Sequence, residues 1–191
     1  METAELAKRL VTCDDAERAT LLTRHAALLD VCLARELKAI CLDAWGSDPV
    51  RATDASLALT KLASIIREPE ASALAAWTAG IAALVNGRMK RAVEHLDDAE
   101  AQFTRLNQPH TAAETQVSKL YALAMLGRYD EALQCGLHAR EVLIAHDDAL
   151  AAGRIEHNLG NIYQRRDRYD KAEEFCVPRA NALSRFTTKE S

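Results

Sequence analysis

The chain has 191 residues, of which 49% are hydrophobic and 27% are charged, so it can bury a substantial core and is neither disordered nor fibrous. Its formal net charge is −4 and no stripe of Lys and Arg is present, so we expect no nucleic-acid partner. Abundant alanine, with only seven glycines and four prolines, favours helices over strands.

Five cysteines are spread along the chain without a Cys-x-x-Cys pair, at Cys13, Cys32, Cys41, Cys135 and Cys176. This spacing differs from that of a disulfide framework or a zinc site, so we expect reduced thiols, a cytoplasmic protein, and neither a metal nor another cofactor. The stretch METAELAKRL begins an amphipathic helix, and no long apolar segment follows it. We therefore expect no signal peptide and no membrane span.

Residues 1–68 are expected to form amino-terminal helices that include an irregular first helix pair. Asp14 followed by Glu17 fits a capping box and predicts a helix from about residue 15. The run LARELKAICLDAW predicts another helix, which ends at the sequence GSDP. Asp48-Pro49 starts the next helix, because proline is favoured in a first helical turn. The apolar face of that helix is expected to contain Leu57, Leu62, Ile65 and Ile66.

A six-residue phrase then recurs at intervals of forty residues, as GRMKRA from Gly87, GRYDEA from Gly127 and DRYDKA from Asp167. When the chain is aligned with itself at steps of forty residues, an alignment that we call the ladder, other positions also carry identical residues. These are Ala52, Ala92, Ala132 and Ala172; Arg88, Arg128 and Arg168; Gly80 and Gly160; and Pro69 and Pro109. Because residues that are scarce elsewhere recur together, we interpret the ladder as an internal repeat.

Each forty-residue unit is predicted to contain two helices joined by a short turn. The first helices are expected at about residues 72–86, 112–126 and 152–165, and the second at about 90–105, 130–146 and 170–185. The prolines separate the units, which gives repeats over 69–108, 109–148 and 149–186, a tail over 187–191, and one continuous domain.

Small residues in the ladder predict close contacts between the two helices of a unit. Alanine in the second helix and glycine in the first let the two backbones approach where they cross. Glycine at the turn can take the positive φ that ends a helix. Tyr129 and Tyr169 are expected to seal their turns against the next unit.

Three segments resemble tetratricopeptide repeats: AGIAALVNGRMKRAVEHLDDA, SKLYALAMLGRYDEALQCGLHA and NLGNIYQRRDRYDKAEEF. In the third, the family's signature columns are filled by Leu159, Gly160, Tyr163, Tyr169 and Ala172. Glu156 replaces the family's large aromatic residue, and the period exceeds the usual thirty-four residues. The resemblance implies an all-α fold, a right-handed α-solenoid of stacked antiparallel helix pairs, with HEAT-like pairs as the alternative architecture.

Pro178 falls inside the last predicted helix and is expected to kink or split it near Phe175. No polar capping helix follows, although an α-solenoid needs one to cover its last apolar face. We therefore expect that a longer protein continues from here or that a partner covers this end. Self-association through Phe175, Leu183 and Phe186 is one form of such cover.

In tetratricopeptide proteins the first helices line a concave groove that binds extended peptides, so the resemblance implies a protein or peptide ligand on these helices. The residues that it places there are Trp77, Ile81, Tyr121, Arg154, His157, Asn158, Asn161 and Arg165. Further positions in the same columns are Leu74, Leu84, Val85, Glu114, Val117, Ala124, Met125 and Gln164. The polar stripe from Arg154 to Arg165 could bind a carboxylate. The alternatives are that this stripe is a solvated helix face and that Trp77 packs against the preceding unit.

Catalysis is not expected. The chain contains no Gly-rich phosphate loop and no HExxH or GxSxG motif. Cys135 and His138 can share one helical face, but no sequence feature supplies an orienting residue or an oxyanion hole.

The whole pattern, with LLTRHAALLDVCLARELKAICLDAW ahead of the repeats, resembles the amino-terminal repeat region of bacterial proteins that carry a caspase-like CHAT protease domain. This resemblance implies a non-catalytic scaffold that binds a protein or peptide, as a regulatory or sensor arm of a larger signalling or defence protein. The alternatives are a similar arm on a transcriptional activator, a homo-oligomerisation module, and a small-molecule sensor with a closed pocket near Trp77 and Tyr121.

Overall fold

Ten α-helices make up most of residues 2–176, the part of the chain that the computed structural model describes, and from the third helix onward each packs against the next. Their bounds are Thr3–Thr12 (α1), Asp15–Arg24 (α2), Val31–Ala44 (α3), Pro49–Ile66 (α4), Pro69–Val85 (α5), Met89–Arg105 (α6), Pro109–Met125 (α7), Tyr129–Ala145 (α8), Ala149–Arg165 (α9) and Tyr169–Cys176 (α10). No strand occurs within these residues, so the expected all-α fold is confirmed for them.

Aspartate side chains cap three helices of the amino-terminal region, α2, α3 and α4. Asp14, Asp30 and Asp48 each accept a hydrogen bond from the backbone N–H three residues further on, at 2.8, 2.9 and 3.0 Å. Each bond satisfies a backbone donor that has no partner within the first helical turn. The predicted helix starts near residues 15 and 49 are confirmed.

Arg18 of α2 is buried and completes the carboxy-terminal end of α1. Its Nε donates to the carbonyl oxygen of Leu10 at 2.9 Å, and its Nη2 donates to that of Cys13 at 3.1 Å. Asp15 forms an ion pair with the same guanidinium. Because the last carbonyls of a helix lack partners within the helix, Arg18 supplies hydrogen bonds that water would otherwise make.

From α4 onward the helices begin every twenty residues, at Pro49, Pro69, Met89, Pro109, Tyr129, Ala149 and Tyr169. The forty-residue ladder of the sequence therefore consists of two equal steps of one helix and one turn. The first helix of each unit begins three residues earlier than predicted. Pro69 and Pro109 occupy its first helical position, where a missing N–H removes no helical hydrogen bond.

The turns after α4 to α9 each contain one residue in the left-handed conformation, namely Arg67, Gly87, Asn107, Gly127, Asp147 and Asp167. After α5, the N–H of Gly87 donates to Leu84 O at 3.0 Å and that of Arg88 donates to Ala83 O at 2.8 Å. The same two bonds close α6, α7, α8 and α9. This Schellman motif satisfies the last carbonyls of each helix through the backbone alone.

The odd-numbered helices α3, α5, α7 and α9 also contact one another in that order, and we call these four helices the odd-helix layer. The ladder alanines begin the even-numbered helices and are all buried, at Ala52, Ala92, Ala132 and Ala172. A Cβ added at Gly80 would lie 2.6 Å from Leu96 Cγ, so α5 and α6 approach closely there. The predicted close crossing of glycine and alanine helices is confirmed for this pair.

The apolar face predicted for α4 is partly wrong. Leu57 and Ile65 are 52% and 46% exposed, whereas Leu62 is fully buried. The small residues Ala55 and Ala58 lie against the neighbouring helices instead, because α4 packs closely on both α3 and α5.

Tyr169 does not seal its turn as predicted. It is 61% exposed, because within residues 2–176 no further helix pair packs on the α9–α10 turn, and its hydroxyl donates to Asp167 Oδ1 at 3.2 Å. Tyr129, in contrast, is half-buried against the core.

Most of the predicted carboxy-terminal features lie outside the described residues. These are the kink at Pro178, the helix predicted beyond residue 176, Leu183, Phe186 and the tail 187–191. Phe175 is described; its ring stacks on Tyr163 with 5.7 Å between the centroids.

Candidate functional site

All eight side chains predicted to contact a peptide lie on the odd-helix layer. Trp77 and Ile81 belong to α5, Tyr121 belongs to α7, and the other five belong to α9. The structure separates them into a groove between α7 and α9, a pocket shared by four helices, the buried core and, for His157, an exposed position beside the groove.

Ile81 is fully buried, so the expectation that it contacts a ligand is wrong. Its helix α5 is covered by α3, α4, α6 and α7, and Leu74 and Leu84 of the same helix are also buried. Helical periodicity places Ile81 on the same stripe as Trp77, but it does not show how many neighbours surround the helix.

A groove of about 480 Å³ lies between the carboxy-terminal halves of α7 and α9. Its walls are formed by Leu120, Tyr121, Ala124, Met125, Asn158, Asn161, Ile162, Gln164 and Arg165, and we call it the tyrosine groove. It brings together four of the predicted binding residues. Tyr121 and Met125, one helical turn apart on α7, are 44% and 47% exposed.

The α9 wall of the tyrosine groove is polar. The side-chain amide of Asn158 donates to the carbonyl oxygen of Val117 at 3.0 Å, which fixes this residue against α7. The Nδ2 of Asn161 lies 3.1 Å from His157 Nε2. Arg165 is exposed and forms no ion pair within residues 2–176. This wall can therefore offer amide and guanidinium donors to the oxygens of a ligand.

His157 does not line the tyrosine groove, although it was predicted to contact a ligand. It is exposed beside Asn161 and contacts that residue's side-chain amide. We therefore infer that His157 positions the side chain of Asn161 and does not itself contact a ligand.

A second pocket, of about 290 Å³, lies where α3, α5, α7 and α9 meet. Its walls are formed by Leu42, Trp45, Trp77, Glu114, Val117, Ser118, Ala151 and Arg154. Both tryptophans of the chain are among them, and we call it the tryptophan pocket. The polar stripe predicted on α9 is thus divided, with Arg154 at the tryptophan pocket and Arg165 at the tyrosine groove.

Trp77 is packed in the core and also forms part of the pocket wall. It is 3% exposed and meets Phe103 edge-to-face, with 6.1 Å between the ring centroids. Its indole N–H is buried and has no hydrogen-bond acceptor among the described residues. A buried donor without a partner is unusual in a folded protein.

Glu114 and Arg154 are the charged side chains of the pocket wall, and a third charged side chain, Lys38, lies over the ring of Trp77. Lys38 of α3 lies over the Trp77 ring, with Nζ 4.3 Å from the ring centroid. Burial lowers the pKa of Lys38, and the negative charge of Glu114 acts in the opposite direction. Arg154 is exposed and has no ion pair in the described part of the chain.

The sequence interpretation missed the contribution of α3 to this pocket. Lys38, Leu42 and Trp45 are spaced i, i+4 and i+7, a stripe that helical periodicity could have identified. The forty-residue ladder begins after α3, so it gives no indication that this helix meets α5 in the same layer.

Cys41, which is buried, and Cys135, which is half-buried, are unsuited to nucleophilic chemistry. Burial raises the pKa of Cys41 to about 12 and that of Cys135 to about 11, so both are protonated thiols at neutral pH. In residues 2–176 no three or more His, Cys, Asp or Glu side chains are grouped so that they could hold a metal ion. Over the same residues, no helix combines the length and the apolar character that crossing a membrane requires.

No protein-family model matches the chain, and no curated protein sequence matches it either.

Proposed function

We propose that this chain is a tetratricopeptide-like, right-handed α-solenoid that binds an extended segment of a partner protein in the tyrosine groove. The twenty-residue step and the contacts within the odd-helix layer support the solenoid, because stacking of equal helix pairs places equivalent helices side by side. In this proposal the chain is a scaffold and catalyses no reaction.

The exposed pair Tyr121 and Met125 is the observation that carries the proposal. Single exposed apolar residues are common on protein surfaces, but these two lie one turn apart in the same groove. Tyr, Met and Arg are enriched in protein interfaces, and the groove contains all three types. Methionine also adapts its shape to different partners.

The two walls of the groove match the two parts of an extended peptide. An apolar side chain of the ligand would pack on Tyr121 and Met125, while its backbone carbonyls would accept hydrogen bonds from Asn161 and Arg165. The volume of about 480 Å³ lies within the range of roughly 300–1,000 Å³ that is usual for ligand sites. We therefore expect one anchor residue of the partner to dominate the affinity.

The wider role follows from the resemblance to the repeat region of CHAT-domain proteins. We propose that the chain acts in the bacterial cytoplasm as a regulatory or sensor arm of a larger signalling or defence protein. Cys13, Cys32, Cys41 and Cys135 are free thiols in the structure, which suits a reducing compartment.

The test is a peptide selected on the wild-type protein from a random display library and titrated by fluorescence anisotropy. Replacing Tyr121 by Ala should weaken its binding by roughly thirtyfold, because a central interface tyrosine contributes about 2 kcal/mol. Met125→Ala should weaken binding by a smaller factor. The melting temperature should hardly change, since both side chains are exposed.

Matched controls are Tyr169→Ala and Leu150→Ala, which remove exposed apolar side chains (61% and 69% exposed) that do not line the groove. Both should leave peptide affinity unchanged. An unchanged affinity of the Tyr121→Ala protein would refute the proposed groove.

A further inference from the structure

We propose that the tryptophan pocket binds a small monocarboxylate with an apolar body, such as a short aryl- or branched alkyl-carboxylic acid. This site is independent of the tyrosine groove, because it lies at different residues of α7 and α9 and includes α3 and α5.

The size of the pocket indicates a small molecule. About 290 Å³ is at the lower limit of the roughly 300–1,000 Å³ that ligand sites occupy. Such a volume suits one compact molecule rather than several residues of an extended chain.

The apolar walls of the pocket indicate the body of this ligand. Trp45 and Trp77 supply aromatic surface, and Leu42 and Val117 supply aliphatic surface. An aromatic ring or a branched alkyl group would replace water against all four side chains.

The charges of the pocket indicate the ligand's polar group. Lys38 and Arg154 bring two positive charges to the pocket and Glu114 brings one negative charge, and neither cation forms an ion pair among the described residues. The indole N–H of Trp77 adds a donor that lacks an acceptor there. A carboxylate provides a negative charge and two acceptor oxygens, and guanidinium binds carboxylates through paired hydrogen bonds. A cationic ligand would be repelled by these two positive charges, and a neutral ligand would offer them no opposite charge.

Intrinsic fluorescence reports directly on this site, because the two tryptophans of the chain both line the pocket. The full chain is titrated with 3-phenylpropionate and, separately, with 3-phenylpropionamide, which has the same shape and no charge. The carboxylate should change the fluorescence saturably, and the amide should bind roughly tenfold or more weakly, because a hydrogen bond to a charged group is lost.

Two variants test the assigned residues. Arg154→Gln should lower the affinity for 3-phenylpropionate by roughly tenfold and leave the weak affinity for the amide unchanged. Arg91→Gln, which removes an exposed arginine of α6 outside the pocket, should bind both probes like the wild type. Arg154 is exposed, so its replacement should not change the melting temperature.

The remaining outcomes overturn the proposal. Equal affinity for carboxylate and amide, or no saturable change with 3-phenylpropionate, would exclude a carboxylate site. A hexapeptide ending in phenylalanine that binds more tightly than 3-phenylpropionate would assign the pocket to a partner's chain terminus instead. The titration uses the small acid alone, so failure of the peptide selection in the tyrosine groove does not affect it.

Discussion

The amino-terminal helices α1–α3 and the later helices α5–α9 are held in place in different ways. The first three are 10, 10 and 14 residues long, and side chains such as Asp14, Asp30 and Arg18 satisfy their ends. The later five are all 17 residues long, and backbone hydrogen bonds of a left-handed turn close each of them. In the first region, individual polar side chains determine the structure. In the second region, the structure is determined by the spacing of small residues and of residues in the left-handed backbone conformation.

The largest effect that we expect from this difference is in the first region, for Arg18→Met. The change removes the donors to Leu10 O and Cys13 O at a buried helix end and should lower the free energy of unfolding by roughly 3 kcal/mol. Urea denaturation measures it. The control Arg24→Met removes an exposed arginine of the same helix and should change stability by less than about 0.5 kcal/mol. Similar losses for both variants would mean that Arg18 acts only through its charge.

A smaller effect is expected for Ala132→Leu in the second region. Ala132 is fully buried where α8 begins, so added volume should lower the free energy of unfolding by about 2 kcal/mol. Ala145→Leu, at an exposed position of the same helix, is the control and should be nearly neutral. A neutral Ala132→Leu would show that the ladder alanines are not tightly packed.

The same substitution should have opposite effects at two glycines of the second region. Gly87 has φ +71° and open space around its Cβ position, so Gly87→Ala should lower stability by about 1 kcal/mol through backbone strain alone. Gly153 lies within α9, also in open space, and Gly153→Ala should raise stability by about 0.5–1 kcal/mol. Thermal unfolding of the two variants gives the sign directly. Equal signs would contradict the assigned role of the left-handed turn.

The smallest effect is the acid sensitivity of Asp148, which caps α9 with its side chain although α9 belongs to the second region. A hydrogen bond from the backbone of Ala151 and one with His110 hold the pKa of Asp148 below its ordinary value of 3.8. A depressed pKa in the folded state means that this stabilisation is present above about pH 4 and is lost as the pH falls through the folded pKa. Unfolding free energies measured from pH 6 to pH 3 should therefore fall less steeply for Asp148→Ala than for the wild type. Parallel curves would exclude this contribution.

The helix pairs could be predicted from sequence because Gly87, Gly127 and the ladder alanines repeat as identical letters. The sequence did not reveal that single helices, and not only helix pairs, begin at a regular spacing of twenty residues. The left-handed positions are also filled by Asn107 and Asp147, which reach the same backbone conformation with different side chains. The backbone conformation therefore repeats every twenty residues, whereas the residue type at these positions does not.

The residues of the candidate site that share one helix face could be predicted from the sequence. Those whose position depends on packing between helices could not. Asn158, Asn161 and Arg165 were identified together because helical spacing places them on one face of α9. The burial of Ile81 and the contribution of Trp45 depend on how α3, α5 and α7 meet. Contacts between helices that are distant in the sequence cannot be deduced from the periodicity of either helix.

The most direct test of binding on the odd-helix layer is to map a selected peptide by backbone amide chemical shifts. Peptide addition should shift resonances of α7 and α9 around Tyr121, Met125 and Asn161, and it should leave α8 unchanged around its exposed residues Leu137 and Ile144. Shifts concentrated on α8, with Tyr121 and Asn161 unaffected, would contradict the account.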